Sequence, residues 1–335
     1  MHKLRRALAP LVVVTMLGLS ACGNAQSAKV TTSSTESSTT ASMDTAQYPQ
    51  TVKACDTSFD IKKAPERVMF INSTGTSALL DLGLIDRVVA RIGVVETSTY
   101  SQEDAKKIKD IEVIESAVKG GGHYNVSTEA VIEKHPDLII ASNPADLDVQ
   151  KLYDAGIAIY VPEEFCVRDN TEKVTFDNVY REIRTFAKVF GVTDRAEKVI
   201  EKLKGEVKAS GSTKVSGTAA AVFVVPGDSK FYAYGNSSMV TPQFEALGLK
   251  NVYGNEKKRV FTVSTESLLE HNPDRIIILH QGDEQGAIET FKQAHGASDL
   301  RAVREGNLIG MPFPLTDPPS SLSVEGLKYL QNKLK

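Results

Sequence analysis

Eight side chains in this 335-residue sequence have types and positions suited to holding a small ligand. Arg91 and Arg168 each follow an apolar run of strand type. A guanidinium is always charged and presents a planar fork, which suits an anionic chelate. Phe231-Tyr232-Ala233-Tyr234-Gly235-Asn236 alternates like a strand entering a turn, so Tyr232 and Tyr234 share one face with Asn236 at the turn. Tyrosine combines a flat apolar body with a polar tip, which suits aromatic or chelate ligands. In Gly120-Gly121-Gly122-His123-Tyr124 the glycines let a ligand or a facing lobe approach the backbone closely. An internal repeat at an offset of 137 maps Gly122 onto Arg259, which adds a third arginine. The plainer alternatives are loop packing for His123 and Tyr124, sheet packing for one of the tyrosines, and surface ion pairing for the arginines, as Arg87 reads.

Chemistry of other kinds is disfavoured. The six histidines show no close ligand spacing, so no direct metal site is expected. His135 and His271 lie in helix-to-proline turns and His295 in a polar helix. No Gly-x-Ser-x-Gly elbow and no His-Glu-x-x-His motif occurs, so the chain reads as a binder and not an enzyme, with no cofactor. The formal charge is −3; Lys3, Arg5 and Arg6 lie in the first 21 residues, and the remainder sits near −6. A nucleic-acid binder needs the opposite sign.

The elements that must position these residues come in two copies. Val126–Ile140 lies over Val263–Ile277 with nine of fifteen positions identical. Ser127 and Ser264 can cap a helix. Glu129 and Glu266 fall in its first turn, where the helix dipole favours an acid. Pro136 and Pro273 end the helix, and strands follow at Leu138–Ala141 and Arg275–Leu279. Upstream, Arg67–Ile71 and Ala219–Val225 read as strands, each leading to a helix that ends in Leu-Gly-Leu. Alternation of this kind implies an α/β fold with parallel sheets covered by helices. Between the copies, Phe176, Val179, Ile183, Phe186, Ala187 and Phe190 form one face of a helix capped by Thr175 and Gly191, and a second helix spans about Asp194–Lys208. By the rule for open parallel sheets, a cleft would be lined by the loops after the strands: 72–76, 91–96, 120–125 and 162–168 in one lobe, 226–238, 280–283 and 312–317 in the other.

The N-terminus is an address. A basic start, an apolar run over Leu8–Leu19 and Leu19-Ser20-Ala21-Cys22 resemble a lipoprotein signal with its lipobox, which implies cleavage before Cys22 and acylation (palmitate among the chains) on that residue. Plain secretion with an unmodified Cys22 is the alternative. Ser27–Ala46 holds 12 Ser or Thr in 20 positions and reads as a flexible tether. No later apolar run reaches the length of a membrane span. With Cys22 lipidated, Cys55 and Cys166 remain. In an oxidising compartment pairing is the simpler reading, two separate buried thiols the other.

Ala64-Pro-Glu-Arg-Val68, the Leu-Gly-Leu turns, the paired Ser-Thr-Glu…Pro-Asp-x-Ile-Ile units and the central helix together resemble the periplasmic-binding proteins of iron-siderophore, haem and cobalamin importers. The resemblance covers about 51–334. It implies two Rossmann-like lobes joined by one long backbone helix: a signal peptide at 1–21, a lipidated tether at 22–50, an N-terminal lobe at 51–174, linking helices at 175–210 and a C-terminal lobe at 211–335. It further implies a monomer anchored by lipid on the extracytoplasmic face of the cell membrane, taking a ferric siderophore in its cleft for iron transport. The partners implied are an ABC permease dimer and its ATPase, with Glu129 and Glu266 docking on permease arginines. The cleft residues would be Arg91, His123, Tyr124, Arg168, Tyr232, Tyr234, Asn236 and Arg259. A haem receptor is the second reading, with His123, Tyr124 or Tyr234 as axial candidates. Cobalamin stands third, because a corrin sandwich lacks any Trp here. An exported siderophore-processing enzyme or a surface sensor belongs to other classes.

Overall fold

Short apolar runs separated by glycine, proline and capping residues fold into brief strands and helices in near-strict alternation. A computed structural model describes residues 48–114, 117–119, 123–143, 147–166, 172–212 and 214–334, with the strand path alone at 117–119 and 123–125. A hairpin, β1 (Gln50–Ala54) and β2 (Thr57–Ile61), comes first. The first half continues through β3 (Val68–Ile71), α1 (Thr76–Asp81), β4 (Val88–Ile92), α2 (Gln102–Asp110), β5 (Val113–Ile114), β6 (Ala117–Lys119), β7 (His123–Asn125), α3 (Thr128–Glu133), β8 (Leu138–Ala141), α4 (Val149–Asp154) and β9 (Ala158–Tyr160). Two long helices follow, α5 (Phe176–Phe190) and α6 (Thr193–Ser210). The second half has β10 (Thr218–Phe223), β11 (Phe231–Tyr234), α7 (Val240–Leu247), β12 (Lys250–Asn251), β13 (Val260–Val263), α8 (Thr265–His271), β14 (Arg275–His280), α9 (Glu284–Gln293), α10 (Arg301–Arg304), β15 (Leu308–Pro312) and α11 (Ser321–Lys333).

The repeat folds as its pattern requires. Ser127 Oγ accepts from the Ala130 amide at 3.1 Å and Ser264 Oγ from the Ser267 amide at 3.3 Å. Each cap starts a one- to two-turn helix that feeds a central strand, β8 or β14. β8 is buried throughout and β14 is buried from its second residue, as expected for strands covered on both faces.

The first sheet runs β5-β4-β3-β8-β9 and is parallel throughout. The second runs β13-β11-β10-β14-β15, with β12 beside β10. Its centre is parallel, but β11 is antiparallel to both β10 and β13. The sequence pattern suggests parallel strands in both lobes. The reason for the difference is length: only residues 224–230 separate β10 from β11, which suffices for a hairpin turn but not for a crossover.

Phe70, Leu79, Ile140, Phe186 and Phe190 centre the core of the first half, while Phe231 with Phe291, and Phe244 with Leu327, centre cores on the two faces of the second sheet. α5 joins the halves. Thr175 caps it by accepting from the Asp177 amide, and Gly191 closes it in the left-handed region at φ 68°. Its start is held to the second half, where the Val174 amide donates to Asn236 O at 3.0 Å and Lys173 pairs with Glu245 at 2.7 Å. Its end lies in the first half, where Tyr48 Oη donates to Val189 O at 2.8 Å. α6 retraces the crossing: Arg195 donates to Leu82 O near its start, and Gln331 donates to Ser210 O at its end. Two antiparallel helices therefore span the halves, and Phe176 and Val207 pack against the cores of both.

Cys55 and Cys166 form a disulfide with Cα atoms 5.1 Å apart. It ties the β1–β2 turn to the segment leaving β9.

Candidate functional site

A cleft of about 590 Å³, partly open to solvent, lies between the halves. Its floor is one face of α5, formed by Val179, Glu182, Ile183 and Phe186. The loop after β3 forms one wall with Ser73, Thr74 and Gly75, joined by Glu96 and Tyr100 from the segment after β4. Residues 314 and 318–322, running from β15 into α11, form the facing wall. Gly75 holds φ +83°, and a Cβ there would meet Ile140 Cγ2 at 3.0 Å and the Phe186 ring at 3.2 Å. Only glycine lets that wall sit so close to the floor.

Glu182 is the polar feature of the floor. Its carboxyl accepts from the Tyr160 hydroxyl at 2.9 and 3.1 Å. Burial pushes it up from the ordinary carboxylate range to about 7, against the lowering effects of that hydrogen bond and of the Arg181 charge. Glu96 brings a second carboxylate, which accepts from the Ser98 amide at 3.0 Å. Beyond the far wall lies an ion pair between a half-buried arginine and a buried acid: Arg259 Nη1 donates to Asp317, whose side chain is 4% exposed, and its guanidinium stacks over Phe165 of the first half at 5.8 Å. Burial raises the Asp317 carboxyl, and the Arg259 charge acts against that rise.

The structure places the sequence-predicted residues variously. Arg91 donates from Nη1 to Gly93 O at 2.7 Å, engaged by its own loop. Arg259 reaches the lobe boundary but is committed to Asp317 and Phe165. Tyr234 is 3% exposed, packed against Phe313 with ring centroids 6.3 Å apart, and its hydroxyl is driven well above its ordinary range by burial. Tyr232 is half-buried and lies opposite Phe223. Because β11 runs antiparallel, its start lies at the carboxyl edge of the sheet, and Asn236 is delivered toward the other edge. There its carbonyl accepts from Val174 and its side chain from Ser237 at 3.2 Å. None of these five lines the cleft described above. His123 and Tyr124 lie on β7, opposite Lys119 and Val118. Their side chains, like Arg168 and Cys22, lie outside the described residues.

Ser73–Gly75, Glu96, Pro162 and Pro314 fall in loops the sequence reading named, whereas Glu182, Tyr100 and residues 318–322 are cleft residues it did not select. One of the latter carries a legible signal. Val179, Glu182, Ile183 and Phe186 fall at helical i, i+3, i+4 and i+7 positions, so Glu182 is a carboxylate within an apolar stripe.

Glu129 and Glu266 are both exposed in first helical turns. Lys151 pairs with Glu129 at 2.5 Å and lowers its carboxyl below the usual range. Glu266 is lowered mainly by backbone and Ser264 hydrogen bonds.

Two sheet-based halves around a cleft floored by a bridging helix define the two-lobed binding proteins. The chain belongs to the periplasmic binding protein family, whose model matches residues 68–315. It is similar along nearly its whole length to an uncharacterized ABC transporter substrate-binding lipoprotein of Bacillus subtilis (strain 168), at 24% identity over 99% of this chain and 98% of that protein. An iron(3+)-hydroxamate-binding protein of the same organism is 26% identical over 94% of this chain and 93% of its own. Among solved structures, one from an ABC-type Fe3+-hydroxamate transport system of Saccharomonospora viridis DSM 43017 is 31% identical, covers 85% of this chain and 99% of that chain, and superposes with a TM-score of 0.78. A periplasmic haem-binding protein from Roseiflexus sp. RS-1 shares the fold at 18% identity and a TM-score of 0.61, covering 80% of this chain and 97% of its own. The protein is thus the substrate-binding component of an ABC importer and not an enzyme.

Proposed function

We propose that the protein is a lipid-anchored extracytoplasmic receptor that binds a ferric siderophore between its lobes and delivers it to an ABC permease and ATPase for iron uptake. The observation that carries this reading is the α5-floored cleft in a chain 31% identical, over 85% of its length, to the structure from a Fe3+-hydroxamate transport system. The siderophore itself saturates the iron, so the cleft need supply only shape and polar complementarity. That fits a lining of Ser, Thr, Tyr, Pro and carboxyl groups. Cys22 is the anchor and Ser27–Ala46 the tether, with lobes at 51–174 and 211–335 and linking helices at 175–210. Glu129 and Glu266, one per lobe on equivalent helices, meet a two-fold permease with one acid each.

The test is a titration of the purified protein with ferric trihydroxamates and with haemin, followed by tyrosine fluorescence and by the Soret band. Sub-micromolar 1:1 binding of a ferric hydroxamate is expected. A strong Soret response with no ferric-chelate binding replaces this reading with the haem receptor.

A further inference from the structure

The charge of the cleft points to a narrower ligand class than its size does. Its described lining contains two carboxyl-bearing residues, Glu96 and Glu182, and no Lys, Arg or His. The two described arginines expected to meet an anion are turned to other tasks, Arg91 to Gly93 O and Arg259 to Asp317. An anionic chelate brought here would be desolvated against carboxylates, with none of the described cations lining the cleft to offset it.

Glu182 is also incompletely satisfied. A carboxylate has about four lone-pair positions, and among the described residues Tyr160 Oη is the side-chain donor set against it. Glu182 lines the cleft beside Val179, Ile183 and Phe186, apolar surroundings in which a hydrogen bond from a cationic donor is strong.

We propose that, within the siderophore-receptor reading above on which this rests, the cleft selects a cationic ferric chelate bearing an ammonium beside its iron shell, and that Glu182 is the acceptor that reads that ammonium. Glu96, on the wall formed with the 73–75 loop, adds a second carboxylate of the same sign.

The experiment compares three probes on the purified protein: a linear ferric trihydroxamate with a terminal ammonium, the same chelate N-acetylated to neutrality, and a ferric tricatecholate of charge 3−. The ammonium form is expected to bind about tenfold more tightly than its acetylated twin, the scale of one charge-assisted hydrogen bond, and the tricatecholate most weakly. Glu182→Gln should bring the two hydroxamates to within about twofold of one another, chiefly by weakening the ammonium form. Glu96→Gln, on the wall beside the 73–75 loop, should reduce the preference in part and serves where the first variant folds poorly. Equal wild-type affinities for the two hydroxamates, or tightest binding of the tricatecholate, overturn the selectivity while leaving the receptor reading in place. Binding of haemin with none of the three chelates overturns both.

Discussion

A carboxyl held up at about 7 leaves a mark on stability that can be measured without any ligand. Glu182 titrates near 4.5 when unfolded and at about 7 in the folded protein. Below pH 4.5 it is protonated in both states. Between the two values the folded state keeps a proton that the unfolded state has released, so stability falls as pH rises through this window and levels off above it. The separation corresponds to roughly 3 kcal/mol at most, and to about 2 kcal/mol once its partial contact with solvent is allowed for. Glu182→Gln removes the titration and keeps the shape and an acceptor for Tyr160 Oη. Urea unfolding of both proteins at pH 4.5, 6 and 8 reads the effect, because titrating groups that do not interact with Glu182 cancel in the comparison. The variant should gain on the wild type steadily with pH, by a midpoint shift of about 0.5–1 M urea at pH 8. Parallel pH profiles would falsify the placement of a desolvated carboxyl in the cleft floor.

Three further outcomes follow from named contacts. Arg259→Ala strands the Asp317 carboxylate without its partner and should lower stability by about 3–5 kcal/mol, with most of the loss recovered by adding Asp317→Asn; thermal unfolding of the single and double variants checks this. Reduction of the Cys55–Cys166 bridge, which closes a separation of 111 residues, should remove roughly 4–5 kcal/mol by chain entropy, read as a lower urea midpoint in the presence of reductant. The double change Glu129→Ala with Glu266→Ala should abolish uptake while chelate affinity stays within a few-fold. Each single change should do less, and wild-type transport by the double variant at limiting receptor would leave both acids as helix-dipole complements worth about 0.3–1 kcal/mol.

Local signals along the chain were sufficient for much of the architecture. The caps at Ser127, Ser264 and Thr175, the proline stops at 136 and 273 and the left-handed Gly191 act within a turn of their own position, so the elements they bound are legible one at a time. The duplicated helix–strand unit then implies two similar halves, because neither copy can bury its strand alone. The Cys55–Cys166 pairing was the simpler of two readings of the sequence, and the fold decides it by bringing the two Cα atoms within 5.1 Å. The direction of β11 was not legible in the alternation of Phe231–Tyr234, since alternation marks a strand and its faces but not its sense. The short 224–230 connection decided that, and with it moved Asn236 from the carboxyl edge and put Tyr234 in the core against Phe313.

The site itself belongs to tertiary structure. Glu182 is a helical residue whose neighbours at 179, 183 and 186 mark an apolar stripe, but its desolvation arises only where Tyr160, the 73–75 loop and the 318–322 segment close around it from sequence positions far apart. The arginines show the same division. Their charge is a property of the residue alone, whereas their commitment to Gly93 and Asp317 depends on what the fold sets within reach. A sequence carries the local rules that shape each helix and strand. The electrostatic character of the cleft is a sum over groups from both lobes, and it exists only once α5 and α6 have brought those lobes together.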